Sequence, residues 1–285
     1  MKEIVVISGK GGTGKTTVAS SFAYLSDNRN VADCDVETPN LNLILDNKVI
    51  SQKAYVGGSV AYIDKDKCIQ CSKCIETCRF EAINDKFQVD DMRCEGCGTC
   101  KEICKVNAID MLEVDTGKIL TSDIKGGKFV YGNLKVGADG AGKVVSEVRQ
   151  EIGKYNDNAQ YTIIDGSPGI GCVVIASITG CDAAVIVTEP TQSGIDDLKR
   201  VLSLTEFFNL QSYIVINKSD INKEKADEIK MFGKENDVEI IGEVPFDKYV
   251  NRAMKESIPI IHYSESVAAK SIRRSWEVLK NKLGR

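Results

Sequence analysis

Residues 9–16 read GKGGTGKT, between a β-rich apolar run at 4–8 and a helix-forming run at about 16–25. The stretch satisfies G-x-x-x-x-G-K-[ST] in the strand-to-helix context that gives this pattern its meaning. Gly9, Gly11, Gly12 and Gly14 leave the backbone free to turn its N–H groups onto phosphate oxygens, at the positive end of the next helix. Lys15 is set to pair with those phosphates and Thr16 to offer its hydroxyl to Mg²⁺, with Thr13 and Thr17 beside them. The surrounding alternation repeats downstream. A short strand at 31–35 is followed by buried-looking strands at 161–165, 183–189, 212–217 and 239–245, with helical stretches such as 194–208 and 223–236 between them. Strands and helices alternating at these lengths imply an α/β fold with a mostly parallel sheet.

Between about 58 and 115 the pattern changes. Apolar content drops, and two runs, CIQCSKCIETCRF at 68–80 and CEGCGTCKEICKV at 94–106, align without a gap. This is an internal duplication set inside the α/β host. The expected division is a discontinuous host at 1–58 and 116–285 around an insert at 59–115. Short strands at 60–64, 86–90 and 108–114 bracket the cysteine runs, and residues 116–142 form the return path, with strands at 118–124 and 128–134.

Of the chain's 11 cysteines, those in the two runs follow C-x2-C-x2-C-x3-C. The N-terminus enters a strand directly, and the longest apolar stretch, 173–187, is broken by Gly180 and Asp182, so a cytoplasmic protein is expected. Thiols in that compartment stay reduced, which leaves metal as their use. The net charge of −4 argues against a nucleic-acid partner. Zinc ribbons pair two C-x2-C units and lack this duplicated spacing. It resembles that of bacterial two-cluster ferredoxins, in which the fourth cysteine of each run ligates the other cluster. By that resemblance Cys68, Cys71, Cys74 and Cys104 hold one [4Fe–4S] cluster, and Cys94, Cys97, Cys100 and Cys78 the second. Arg79 and Lys105 stand where the ferredoxin pattern has proline, and a cation there favours the reduced state.

Lys10, in KGGTGKTT, resembles the second lysine of the deviant Walker A ATPases: MinD, ParA, Mrp and the nitrogenase iron protein. The likeness continues through DCDVETPN at 33–40, IIDGSPGIG at 163–171, VTEPTQSG at 187–194, INKSD at 216–220 and VPFD at 244–247. The implied fold is a mostly parallel-sheet P-loop NTPase of the SIMIBI type with an inserted small α+β, bacterial-ferredoxin-like domain. The resemblance implies ATP with Mg²⁺, Asp35 orienting the attacking water, and Lys10 reaching across a dimer to the partner's nucleotide. It also implies Thr16, Asp35 and Asp165 at the metal, and Asn217, Pro245 and Asp247 around the base. Residues 217–220, NKSD, also fit the guanine-reading N-K-x-D, but the loop and switches side with ATP. The group most similar carries an inserted 4Fe–4S ferredoxin domain, and commonly has proline where Val173 stands here.

Cys172 follows Asp165 at the offset of a cluster-ligating cysteine in the nitrogenase iron protein, so cluster docking and plain packing both stay open for it. Cys34 and Cys181 read as small buried residues. At 266–285 an apolar helical face of Val267, Ile272, Trp276, Leu279 and Leu283 fits either a membrane-contacting helix or one packed on the sheet. Three functions follow. The first is an ATPase, as homodimer or as heterodimer with a related ATPase, that couples nucleotide state to electron transfer towards a redox or iron–sulfur acceptor protein. The second is an iron–sulfur carrier or scaffold of the Mrp type. The third is a redox-responsive positioning ATPase of the MinD type.

Overall fold

The structure, a computed structural model, describes residues 1–135, 137–138, 140–155 and 159–284; residues 136 and 139 of the expected return path lie outside them. The chain begins with β1 (Lys2–Ser8), α1 (Lys15–Leu25), β2 (Arg29–Asp33), the one-turn α2 (Leu41–Ile44) and the long β3 (Asn47–Ile63). The cysteine runs carry α3 (Lys73–Thr77) and α4 (Thr99–Glu102). The chain returns through β4 (Ile109–Ile124), β5 (Gly127–Leu134) and α5 (Ala141–Gly153). Four further strands, β6 (Tyr161–Pro168), β7 (Ala183–Thr188), β8 (Gln211–Asn217) and β9 (Glu239–Val244), alternate with α6 (Cys172–Ile178), α7 (Gln192–Phe207) and α8 (Lys223–Glu235). The chain closes with α9 (Lys248–Lys255), a 3-10 turn at Ile260–His262 and α10 (Val267–Leu283).

The strand order is β3-β4-β5-β2-β6-β1-β7-β8-β9, and β2, β5, β6, β1, β7, β8 and β9 pair in parallel. Their near-continuous apolar runs suit strands covered by helices on both faces. Register brings Asp33 of β2 opposite Asp165 of β6, with Val6 of β1 on the other side of Asp165. Two carboxylates therefore share the C-terminal edge of the sheet beside the glycine loop, the edge where open α/β sheets bind ligands.

On one side of the sheet Phe22 of α1 and Trp276 of α10 meet at 5.2 Å, and Tyr161 approaches Trp276 at 5.1 Å. Ile272, Trp276 and Leu279 are fully buried, so α10 spends its apolar stripe on the core rather than on a membrane. Val267 departs from the expected stripe: it is 51% exposed, because it opens the helix directly after the N-cap Ser266.

Two compact units emerge. The larger comprises residues 1–52, 119–133 and 142–285, and the smaller residues 53–118 and 134–141. The smaller unit is wider than the expected insert because β3 and β4 are long strands that begin or end inside it. Residues 86–90 do not form the expected strand. Phe87 takes a φ of 55°, and a single antiparallel bridge, Ile83 to Val89, is what remains of the pairing. The smaller unit has its own core of Ala61, Ile63, Cys74, Ile83 and Ile109.

Candidate functional site

A cavity of about 810 Å³ in the larger unit is lined by the glycine loop from Lys10 through Thr17, by Asp35 and by Asn217. Gly14 caps α1 at φ 92°, a left-handed conformation, and a Cβ there would stand 2.2 Å from Asn217 Nδ2. Glycine is therefore required twice over, by backbone conformation and by close approach. Asn217 Nδ2 donates to Thr13 O at 2.7 Å, and its Oδ1 accepts from Lys218 N at 3.0 Å, so the end of β8 holds the loop in shape. Gly9 lies outside the lining; a Cβ on it would stand 2.3 Å from Asp197 Cβ, and its role is to let α7 close against the loop.

Lys15 is buried, with Nζ 2.8 Å from Asp165 Oδ1. Burial works against its charge, but the Asp165 carboxylate outweighs this and Asp33 and Asp35 add to it, raising the ammonium above its ordinary pKa. Asp165 Oδ2 is buried with no hydrogen-bond partner, as is Thr13 Oγ1. An orphaned carboxylate oxygen on the partner of Lys15 fits a hard, oxygen-seeking cation such as Mg²⁺ and its waters.

Sequence reading did not single out Asp33, yet Asp33 shapes the loop that carries Asp35. Its Oδ1 accepts from Asp35 N at 3.0 Å and its Oδ2 from Asn40 N and Leu41 N at 3.1 Å each. Burial, together with the nearby Asp165 charge, pushes Asp33 up to about 7. The loop is tied to β6 as well, through Cys34 N to Asp165 O at 2.8 Å and Ser167 Oγ to Cys34 O at 2.6 Å. Asp35 itself is half-buried and accepts from Thr38 Oγ1 at 3.2 Å.

Glu189 was missed too. It bridges Lys10 Nζ at 2.6 Å and Lys218 Nζ at 3.0 Å, and Lys10 also donates to Ser193 Oγ at 2.8 Å. Burial opposes the Glu189 charge, but the hydrogen bonds from Lys10 and Lys218 prevail and hold its carboxyl below the usual range. Pro245 and Asp247 are not part of the cavity lining. Asp247 is committed elsewhere: it accepts from Tyr249 N at 2.9 Å as the cap of α9, and from Ser266 Oγ at 2.6 Å and Ala268 N at 3.2 Å at the start of α10.

In the smaller unit the two cysteine runs fold alike. Left-handed backbone recurs at Gln70 and Gly96, at Ser72 and Gly98, and at Glu81 and Asn107, each pair in equivalent positions of the duplication. Two cavities result. One is bounded by Cys94, Cys97, Cys100 and Cys78 and measures about 160 Å³. The other, of about 20 Å³, is bounded by Cys68, Cys71, Cys74 and Cys104, with Cys100 at its margin. Each brings together three thiols of one run and the fourth of the other. Burial pushes the Cys74 and Cys100 thiols up, whereas the Thr99 hydroxyl holds Cys97 down. Eight thiols in two such groups, with backbone N–H groups aimed at sulfur, form a donor set suited to iron–sulfur clusters.

The remaining cysteines differ. Burial pushes the thiols of Cys34 and the partly buried Cys181 up to about 12, away from the thiolate form. Cys172 is exposed as the first residue of α6, and a Cβ on Gly142 would stand 3.5 Å from its Sγ.

A parallel α/β sheet with this loop, lysine and carboxylate at its C-terminal edge defines a P-loop nucleotide-binding protein. The family described as the CobQ/CobB/MinD/ParA nucleotide binding domain matches residues 4–260, and the chain belongs to that family. An uncharacterized protein of Methanocaldococcus jannaschii is 35% identical over 281 residues, 98% of this chain and 96% of its own. An iron-sulfur cluster carrier protein of Pyrococcus furiosus is 27% identical over 301 residues, 99% of this chain and 86% of that protein. Among solved structures, the septum site-determining protein MinD of Pyrococcus horikoshii, complexed with Mg-ADP, matches with a TM-score of 0.61 at 18% identity. That match covers 99% of this chain and 97% of MinD, and it speaks for the fold. Among the described residues no helix is long and apolar enough to cross a membrane.

Proposed function

We propose that the protein is an ATPase that couples its nucleotide state to electron transfer through two resident [4Fe–4S] clusters. The observation that carries this reading is the pair of four-cysteine cavities in one chain with a P-loop site. In the nucleotide site, Lys15 would exchange Asp165 for the β- and γ-phosphates, freeing both Asp165 oxygens to hold Mg²⁺ through water. Thr16 would ligate the ion directly, with Asp35 near it and oriented towards the attacking water. Mg²⁺ supplies charge neutralisation across the phosphates. Lys10, retained here by Glu189 and Ser193, would leave that pair to serve a partner's nucleotide in a dimer. In the smaller unit the first cluster would be held by Cys68, Cys71, Cys74 and Cys104, the second by Cys94, Cys97, Cys100 and Cys78. Such clusters accept and release single electrons.

A second reading, cluster carriage, is favoured by the likeness to the Pyrococcus carrier protein, and the comparisons support it better than they support electron transfer. The geometry favours retention, because each site is closed by a ligand from the other run. The two readings separate on incubation of the anaerobically prepared protein with an apo-ferredoxin, with and without MgATP. Electron transfer predicts that iron and sulfide stay with this chain and are reduced and reoxidised reversibly. Stoichiometric movement of clusters to the acceptor overturns it in favour of carriage.

A further inference from the structure

The two four-cysteine sites share a common hydrogen-bond pattern. Cys78 Sγ accepts from Ala82 N at 3.4 Å, and Cys104 Sγ from Ala108 N at 3.3 Å, in equivalent positions of the duplication. The second site, that of Cys94, Cys97, Cys100 and Cys78, has two more donors. Ala61 N lies 3.5 Å from Cys94 Sγ. It reaches the sulfur because β3 runs so close to that loop that a Cβ on Gly96 would stand 2.3 Å from Ser59 O. Thr99 Oγ1 lies 3.4 Å from Cys97 Sγ. A thiolate bound to iron has no proton to give, so the hydroxyl donates.

At the first site the residue equivalent to Thr99 is Lys73, each being the first residue of its short helix. Among the described residues no hydrogen bond reaches the sulfur of Cys68 or Cys71. The cations do not reverse this difference. Arg79 borders the second site, whereas Lys105 is not among the residues bordering the first, so these two cations act in the same direction as the extra donors. Lys73 is exposed, where water and salt screen its charge. Hydrogen bonds to cluster thiolates stabilise the reduced, more negative state over the oxidised one and raise the potential.

We propose that Thr99 makes the Cys94–Cys97–Cys100–Cys78 site the more oxidising of the two, so that a single electron taken up by the protein rests there. The inference rests on the reading of two resident [4Fe–4S] clusters. Thr99 acts as a tuning residue through the Cys97 sulfur and is not itself a ligand.

The test is EPR-monitored potentiometry on the full-length, anaerobically prepared protein without nucleotide. The wild type should show two reduction waves. Thr99→Val, at unchanged iron content, should move the upper wave to lower potential and leave the lower wave in place. Thr99→Ser, which keeps the hydroxyl, should restore it. A reciprocal pair keeps the test independent of how well the Val variant assembles. Lys73→Thr and Lys73→Val both remove the charge, and the Thr form should have the higher lower wave. Movement of the lower wave by Thr99→Val, movement of neither wave, or identical Lys73 variants each overturn the inference. A wild type with no iron–sulfur signal overturns the cluster reading beneath it, which separates the two failures.

Discussion

At the scale of single residues, Lys15 and Asp35 sit on different parts of the nucleotide site and should fail differently. Lys15→Ala removes a buried partner of Asp165. Breaking a buried pair from one side costs about 3–5 kcal/mol, so this variant should lose ATP binding and also melt earlier. Asp35 is half-buried, and one of its oxygens meets a hydroxyl, so Asp35→Ala should keep both stability and ATP binding while losing hydrolysis. Equilibrium binding of a fluorescent ATP analogue, phosphate release and thermal denaturation read these three effects separately. Hydrolysis at the wild-type rate in the Asp35 variant would contradict the assignment. The loop residues and the eight spaced cysteines were legible in the sequence because each motif is contiguous and its chemistry is local. Asp33, Ser167 and Glu189 were not. Asp33 acts on backbone N–H groups of its own loop, and Ser167 and Glu189 on a carbonyl and lysines supplied by distant segments; no spacing rule reports those contacts. The capping role of Asp247 is hidden for the same reason, since its partners at 266–268 are joined to it only by the fold.

At the scale of elements, the strand–helix alternation was legible because both-face burial writes itself as unbroken apolar runs at β6, β7 and β8. Only the end of β3, at 60–63, was legible; the rest is exposed along much of its length and carries little apolar pattern to read. Helix α10 shows how a stripe consistent with two destinations is decided by packing. Trp276 lies between Phe22 and Tyr161 and is 1% exposed. Trp276→Ala should therefore cost about 3–5 kcal/mol through lost contacts and a cavity. Denaturant unfolding should show this as a lower midpoint, and the wild-type helix should give no saturable binding to anionic vesicles. A Trp276→Ala protein as stable as wild type, or tight vesicle binding, would mean that the helix does not stay on the sheet.

At the scale of the whole molecule, the connectivity bears on the proposed coupling. The chain leaves the loop held by Asp33, passes α2 and enters the smaller unit along β3; it returns by β4, β5 and α5 to the strand that carries Asp165. Both arms thus begin or end at segments that would respond to the γ-phosphate, and a switch movement there can bias the inserted unit. Cluster potentials measured with a non-hydrolysable ATP analogue, with ADP and with no nucleotide should therefore differ. By linkage, reduction should change ATP affinity by the same factor. Indistinguishable potentials in the three states would leave the ATPase and the cysteine unit as independent functions and move carriage ahead of gating. Beneath that lies the central claim, that this family member carries two [4Fe–4S] clusters on crossed sets of four cysteines. The most direct measurement is iron and acid-labile sulfide per chain in protein prepared anaerobically, for wild type and for Cys78→Ala. About eight of each are expected in the wild type and about four in the variant, with the first site intact. Stoichiometric zinc without sulfide, or a Cys78→Ala protein that keeps the full complement, would contradict it.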